Sequence, residues 1–160
     1  MATATKARAN KADDEVNVRR VQAGDLPQVI GLDTRVTKLA KNEYWVDVFK
    51  RYGRQRLHER FFLVAENRVR RVLGFIVGEI RAWEFGSTPC GWVFALSVDP
   101  DIRLQNVGTA LLDAISAEFK RAGVSKMRTM VARDAQLPML FFRSEGMMAG
   151  PYLQLEKDLD

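Results

Sequence analysis

The segment from Ala95 to Leu112 reads A-L-S-V-D-P-D-I-R-L-Q-N-V-G-T-A-L-L and carries the chain's strongest chemical signal. It begins as an apolar strand, breaks at Asp99-Pro100, turns through Arg103 to Gly108 and continues as a helix. The first amides of a helix have no acceptor within it, and the helix dipole adds partial positive charge at the same end. A strand that feeds such a helix through a tight loop suits a phosphate, so a diphosphate ligand is the first expectation. An ordinary strand-loop-helix connection is the plain alternative.

Other chemistries find less support. One cysteine, Cys90, and one histidine, His58, cannot assemble a metal cluster, so no metal is expected. A Ser-His-Asp triad would have to use His58, which sits between Arg56 and Arg60 with no nucleophile motif nearby. Neither G-x-G-x-x-G nor G-K-[ST] occurs, which excludes dinucleotide and P-loop enzymes. The net charge of +5 is concentrated at Lys50, Arg51, Arg54, Arg56 and Arg60, and at Arg68, Arg70 and Arg71. Such clusters attract an anionic ligand, an acidic substrate or nucleic acid. They equally describe a solvated helix face and a charged hairpin turn. No RNA- or DNA-binding signature accompanies them, so nucleic acid is not the expected partner.

The elements that would position the loop follow from pattern. The chain's 160 residues, 47% hydrophobic, fit one domain with a sizeable core. Residues 1–15 read as a polar flexible tail without a secretory core, and residues 16–160 as a single domain. No apolar run reaches the roughly 20 residues of a membrane span. A lone cysteine suits a reducing compartment, and a cytoplasmic location is expected.

The coarse order is β-α-α-β-β-β-α-β-α-β. Val16 to Val21 alternates as a strand. Asp25 caps a helix with Pro27 in its first turn, continuing toward Thr34. Trp45, Val48, Phe49 and Tyr52 give helical spacing to Glu43–Leu57. Phe61–Ala65, Val72–Arg81 and Trp92–Val98 are three strands in a meander, separated by Glu66–Arg71 and Phe85–Gly91. Gly74 and Gly78 share one face of the second, which implies close packing or a bend. Val107, Ala110, Leu111, Ala114, Ile115 and Phe119 line one stripe of the helix after the loop, which Gly123 stops. Lys126–Val131 is a strand and Gln136–Ser144 a helix with Pro138 in its first turn. Pro151–Lys157 closes the chain as a strand. This is an α+β sandwich with a mostly antiparallel sheet.

V-D-P followed by R-x-x-x-x-G-T-A-L-L on a strand-to-helix turn resembles the coenzyme A signature of the GNAT superfamily, the acyl-CoA-dependent N-acyltransferases. Arg103 fits the signature's first position and Gly108 its last. Asn106 stands in place of the middle glycine, and Leu104 where a second glycine is common. F-F-R-S-E-G-M near the C-terminus is similar to the family's Tyr-x-x-x-Gly-Phe ending. The element order agrees from about Val16 to Asp160.

The resemblance implies a GNAT-like α/β/α sandwich with a mixed, mostly antiparallel sheet whose central strand and the next run parallel and splay apart around pantetheine. It implies acetyl-CoA as cosubstrate. Leu96, Ser97 and Val98 would bond pantetheine through their backbone. Arg103, Leu104, Gln105, Asn106, Val107, Gly108 and Thr109 would face the pyrophosphate. Asn106 suits a loop that needs glycine-like backbone freedom, because Asn tolerates positive φ. Leu104 must point away from the phosphates, with reduced affinity as the expected consequence. Asp134 lies near the position of an Asn that contacts pantetheine. Phe142 occupies the place of a tyrosine that protonates the leaving thiolate, a role phenylalanine cannot fill.

An amine acceptor, with a pKa near about 10, must lose a proton before it attacks. Glu79 and then Glu84, on or just after the strand preceding the central one, are the candidate bases, and the Val98 N–H the candidate donor to the thioester carbonyl. Glu79 equally suits a surface pair with Arg81 or another arginine. Tyr44 and Trp45 lie where the family often covers its acceptor, and equally fit a helix core. Three readings result: an acetyltransferase acting on a primary amine of a small molecule or protein; a GNAT-fold module that binds acyl-CoA or a partner without catalysis; and a nucleic-acid-associated protein. The family also allows a homodimer through the last strand.

Overall fold

A computed structural model describes residues 15–102 and 106–159. Residues 1–14, Arg103, Leu104, Gln105 and Asp160 lie outside the described residues, and with them most of the expected tail and the first part of the expected pyrophosphate loop. The chain forms two compact units, one ending at Met130 and the other beginning at Val131.

The first unit is α+β. Strands β1 (Asn17–Arg20), β2 (Arg60–Glu66), β3 (Val72–Arg81), β4 (Cys90–Val98) and β5 (Met127–Arg128) form one sheet in that order. The first three pairings are antiparallel and β4–β5 is parallel. Helices α1 (Leu26–Thr37) and α2 (Asn42–Val48) precede β2, and α3 (Val107–Arg121) joins β4 to β5. Both sheet faces are buried, for reasons visible in the two-residue period of the strands. On one face Phe62, Val64, Phe75 and Val77 pack with Trp45, Val48, Val29 and Leu32 of α1 and α2. On the other, Gly74 and Gly78 admit α3. A Cβ on Gly78 would lie 2.6 Å from the Trp92 carbonyl oxygen and 2.9 Å from Ile115. Gly91 makes the same room for the Phe119 ring, 2.4 Å from where its Cβ would be.

Three local features depart from the pattern reading. Asp25 precedes α1 but makes no side-chain cap to it. Its carboxylate instead accepts from the Gln22 amide at 2.7 Å and from both terminal nitrogens of Arg19. Arg19 also reaches Glu66 at 2.6 Å, so β1, β2 and the helix entry share one buried ion cluster. The helix expected through Leu57 ends as α2 at Val48 and widens into a π-helical turn over Phe49–Gly53. Asn106, the residue before α3, has φ −111°, so it needs no glycine-like freedom.

In the second unit, α4 (Gln136–Ser144) has Pro138 in its first turn, and Gly146 follows with φ +85°. The expected strand over Pro151–Lys157 does not form: residues 152–159 have no regular secondary structure. An alternating apolar pattern is only half of a strand; the ladder partner that satisfies its backbone is the other half.

Candidate acyl-transfer site

Strand β4 positions both parts of the site. The Asp99 amide donates to Leu73 O on β3 at 2.8 Å. Backbone groups of a strand alternate between its two edges, so those of Ser97 also turn toward β3, and those of Leu96 and Val98 turn to the opposite edge. That edge is covered by β5 only at Gly91 and Trp92. The Thr129 hydroxyl then donates to Val93 O at 2.9 Å, and the pairing ends. The main chain of Leu96 and Val98 therefore lies beyond the reach of β5. Of the three residues expected to bond pantetheine through their backbone, Ser97 is turned the wrong way.

Past Val98 the chain is fixed by Asp99, whose side chain is fully buried. Oδ1 accepts from the Asp101 amide at 3.0 Å, and Oδ2 accepts from Arg35 of α1 and Arg71 of the β2–β3 hairpin, both at 2.8 Å. Burial pushes this carboxyl up, but the Asp101 amide and the two guanidiniums outweigh it and hold the carboxyl below its ordinary range. On the far side of the loop α3 opens at Val107, and the Ala110 amide is the first to reach back, to Asn106 O at 2.8 Å. The amides of Val107 and Gly108 have no acceptor within their own helix, which leaves an anion-binding end. Asn106 makes no side-chain cap there.

The second part is a cleft of about 170 Å³ lined by Tyr44, Val48, Arg51, Tyr52, Glu79, Arg81, Trp92 and Phe94. Glu79 and Trp92 are cross-strand partners. Phe94 is the extra residue of a bulge, since Val77 pairs with Ala95 and Gly78 with Val93. It contacts the Tyr52 ring edge-on at 5.0 Å. The Tyr52 hydroxyl donates to Glu79 Oε2 at 3.1 Å. Burial, then the Glu79 charge and hydrogen bond, push the Tyr52 phenol up. The Arg81 guanidinium stands 5.1 Å from the Trp92 ring centroid.

Of the residues singled out from sequence, Glu79 and Tyr44 meet in this cleft. Glu84 lies in an adjoining depression that shares Glu79 and Arg81, with its carboxylate 3.4 Å from Arg81. Trp45 is a core residue, 2% exposed, and its indole N–H donates to Asp33 at 2.8 Å. Asp134 and Phe142 belong to the second unit, where Phe142 packs edge-on against Phe141. Sequence reasoning missed Tyr52, Arg51, Arg81, Trp92 and Phe94 as cleft residues. Tyr52 was hidden in an apolar helical stripe, and the others needed the β3–β4 register.

The model of the Acetyltransferase (GNAT) family matches residues 27–142. The chain belongs to the GNAT acetyltransferase family. Among solved structures it is similar to the aminoglycoside N-acetyltransferase AAC(6')-Iy in complex with CoA, at 14% identity and TM-score 0.79, over 90% of this chain and 95% of that one. It is similar to the aminoglycoside acetyltransferase meta-AAC0020 from an uncultured soil metagenomic sample, at 18% and 0.72, over 92% and 99%. It is also similar to the aminoglycoside 6'-N-acetyltransferase AAC(6')-Ih of Acinetobacter baumannii, at 14% and 0.76, over 91% and 100%. These likenesses are of fold. No curated protein matches the chain by sequence. No helix among the described residues is long and apolar enough to cross a membrane.

Proposed function

We propose that this GNAT protein transfers an acetyl group from acetyl-CoA to the primary amine of an acceptor held in the β4 cleft. The observation that carries the proposal is that one strand serves both reactants. The main chain of Leu96 and Val98 faces the edge that leads to the start of α3, while Trp92 and Phe94 of the same strand line the cleft.

In this reading Leu96 and Val98 bond the pantetheine amides, and the amides at the start of α3, with Arg103 and Thr109, take the pyrophosphate. The Val98 N–H polarises the thioester carbonyl. Glu79 accepts the proton that an ammonium group must lose near neutral pH. The amine nitrogen then bonds the carbonyl carbon and gives up its second proton to solvent, the carbon–sulfur bond breaks, and the sulfur leaves with its electron pair as thiolate. Solvent protonates that thiolate. Tyr52 orients Glu79 through its hydroxyl and closes one side of the cleft. Proximity supplies much of the rate, since attack needs the two reactants held in line. Release of free CoA thiol from acetyl-CoA in the presence of an amine panel tests the proposal. Amine-dependent release that Glu79→Gln abolishes supports it. Tight acetyl-CoA binding with no release for any amine would favour the non-catalytic module instead.

A further inference from the structure

Resting on the transferase reading above, we infer that the acceptor is a small amine that also bears a carboxylate, of the amino-acid class, and that Arg81 with Arg51 takes that carboxylate. The cleft's charge is built for a zwitterion. Its lining holds one carboxylate, Glu79, and two guanidiniums, Arg51 and Arg81. A third, Arg60, stands 5.2 Å from the Tyr52 ring centroid.

Arg81 is the better placed. Its Nε is 3.8 Å from Glu79 and 3.4 Å from Glu84, both longer than the roughly 2.7–3.2 Å of a hydrogen bond. Its planar fork, steadied on the Trp92 ring, therefore keeps donors for a carboxylate, which it can bind through two parallel bonds. Arg51 is tied to Asp47 at 2.8 Å and adds charge more than donors. An ammonium group has Glu79, the one carboxylate of the lining, as its partner. A polyamine would bring further ammonium groups against Arg51 and Arg81, where like charge repels. The inference separates this cleft from the aminoglycoside acceptors named for similar folds.

The test measures acceptor binding to the full chain by NMR titration, without requiring turnover. L-phenylalanine and L-leucine are compared with 2-phenylethylamine and 3-methylbutylamine, which lack only the carboxylate, and with spermidine. The amino acids should bind at least about tenfold more tightly than their decarboxylated counterparts. Arg81→Gln, checked for an unchanged amide spectrum away from the cleft, should erase that preference by weakening the amino acids, while the simple amines bind no more weakly than to the wild type. Equal or tighter binding of the simple amines or spermidine to the wild type would overturn the inference. So would a preference that survives in Arg81→Gln, or no amino-acid binding up to the solubility limit. Acetyl-CoA affinity is measured separately: its absence beside an intact carboxylate preference would refute the transferase reading and leave the ligand class of the cleft standing.

Discussion

The Tyr52 hydroxyl and the Glu79 carboxylate are hydrogen-bonded at 3.1 Å, which ties the π-helical turn after α2 to the third strand of the sheet. Tyr52 also contacts Phe94, so the pair closes a cleft against the bulge of β4. Glu79→Gln keeps the size of this group and removes its basicity. We expect kcat to fall by about 10²–10⁴ with the acetyl-CoA dissociation constant unchanged, measured by CoA-thiol release and calorimetry. An equal loss of acetyl-CoA affinity would assign Glu79 a structural role.

The same pair predicts an alkaline titration. A phenolate beside a carboxylate is disfavoured by burial and by like charge, so Tyr52 holds its proton above the ordinary tyrosine range. Tyr52 should therefore titrate late in ultraviolet absorbance. Replacing Glu79 by Gln removes the charge but not the burial, so that late transition should move part of the way down. No movement would mean that the pair does not persist in solution.

Asp99 ties α1 and the β2–β3 hairpin to the start of the loop. Its folded-state pKa is lowered, so its stabilisation is fully present above the unfolded value near about 3.9 and is lost as pH falls through the folded one. Denaturant melts should show wild-type stability falling below about pH 4. Asp99→Asn should cost about 1–3 kcal/mol at pH 7, with the deficit shrinking in acid, because both arginine partners are half exposed and solvent screens them. A deficit constant with pH would contradict the role of the charge.

Gly78→Ala should destabilise the chain by about 1–3 kcal/mol, because the added methyl meets the Trp92 carbonyl of β4 rather than a flexible side chain. Thermal melts test this. A neutral effect would mean that β3 and β4 do not approach as closely there as described.

Much of this architecture was legible in sequence. The apolar run of Val72–Arg81 marked β3 at its observed limits, and the paired glycines marked the face that receives α3. The V-D-P and G-T-A-L-L residues pointed to the family that the match over residues 27–142 establishes. What pattern could not supply were relationships between distant positions. Asp99 read as half of a turn signal, although its importance lies in arginines 64 and 28 residues away in sequence. Phe94 entered the cleft through a bulge, which shifts register without leaving a sequence mark. Trp45 and Tyr52 shared one helical stripe and both are buried, yet only Tyr52, in the π-helical turn, also lines the cleft. The apolar alternation near the C-terminus promised a strand that has no ladder.

The most direct test of the account is calorimetric titration of acetyl-CoA into the full chain and into Val98→Pro. Proline removes one N–H from the edge that β5 does not reach, where the β3 ladder loses nothing. The account predicts wild-type binding in the micromolar range and a loss of about tenfold or more in the variant, with the melting temperature little changed. No binding to the wild type up to millimolar acetyl-CoA, or equal affinity in both proteins, would contradict it.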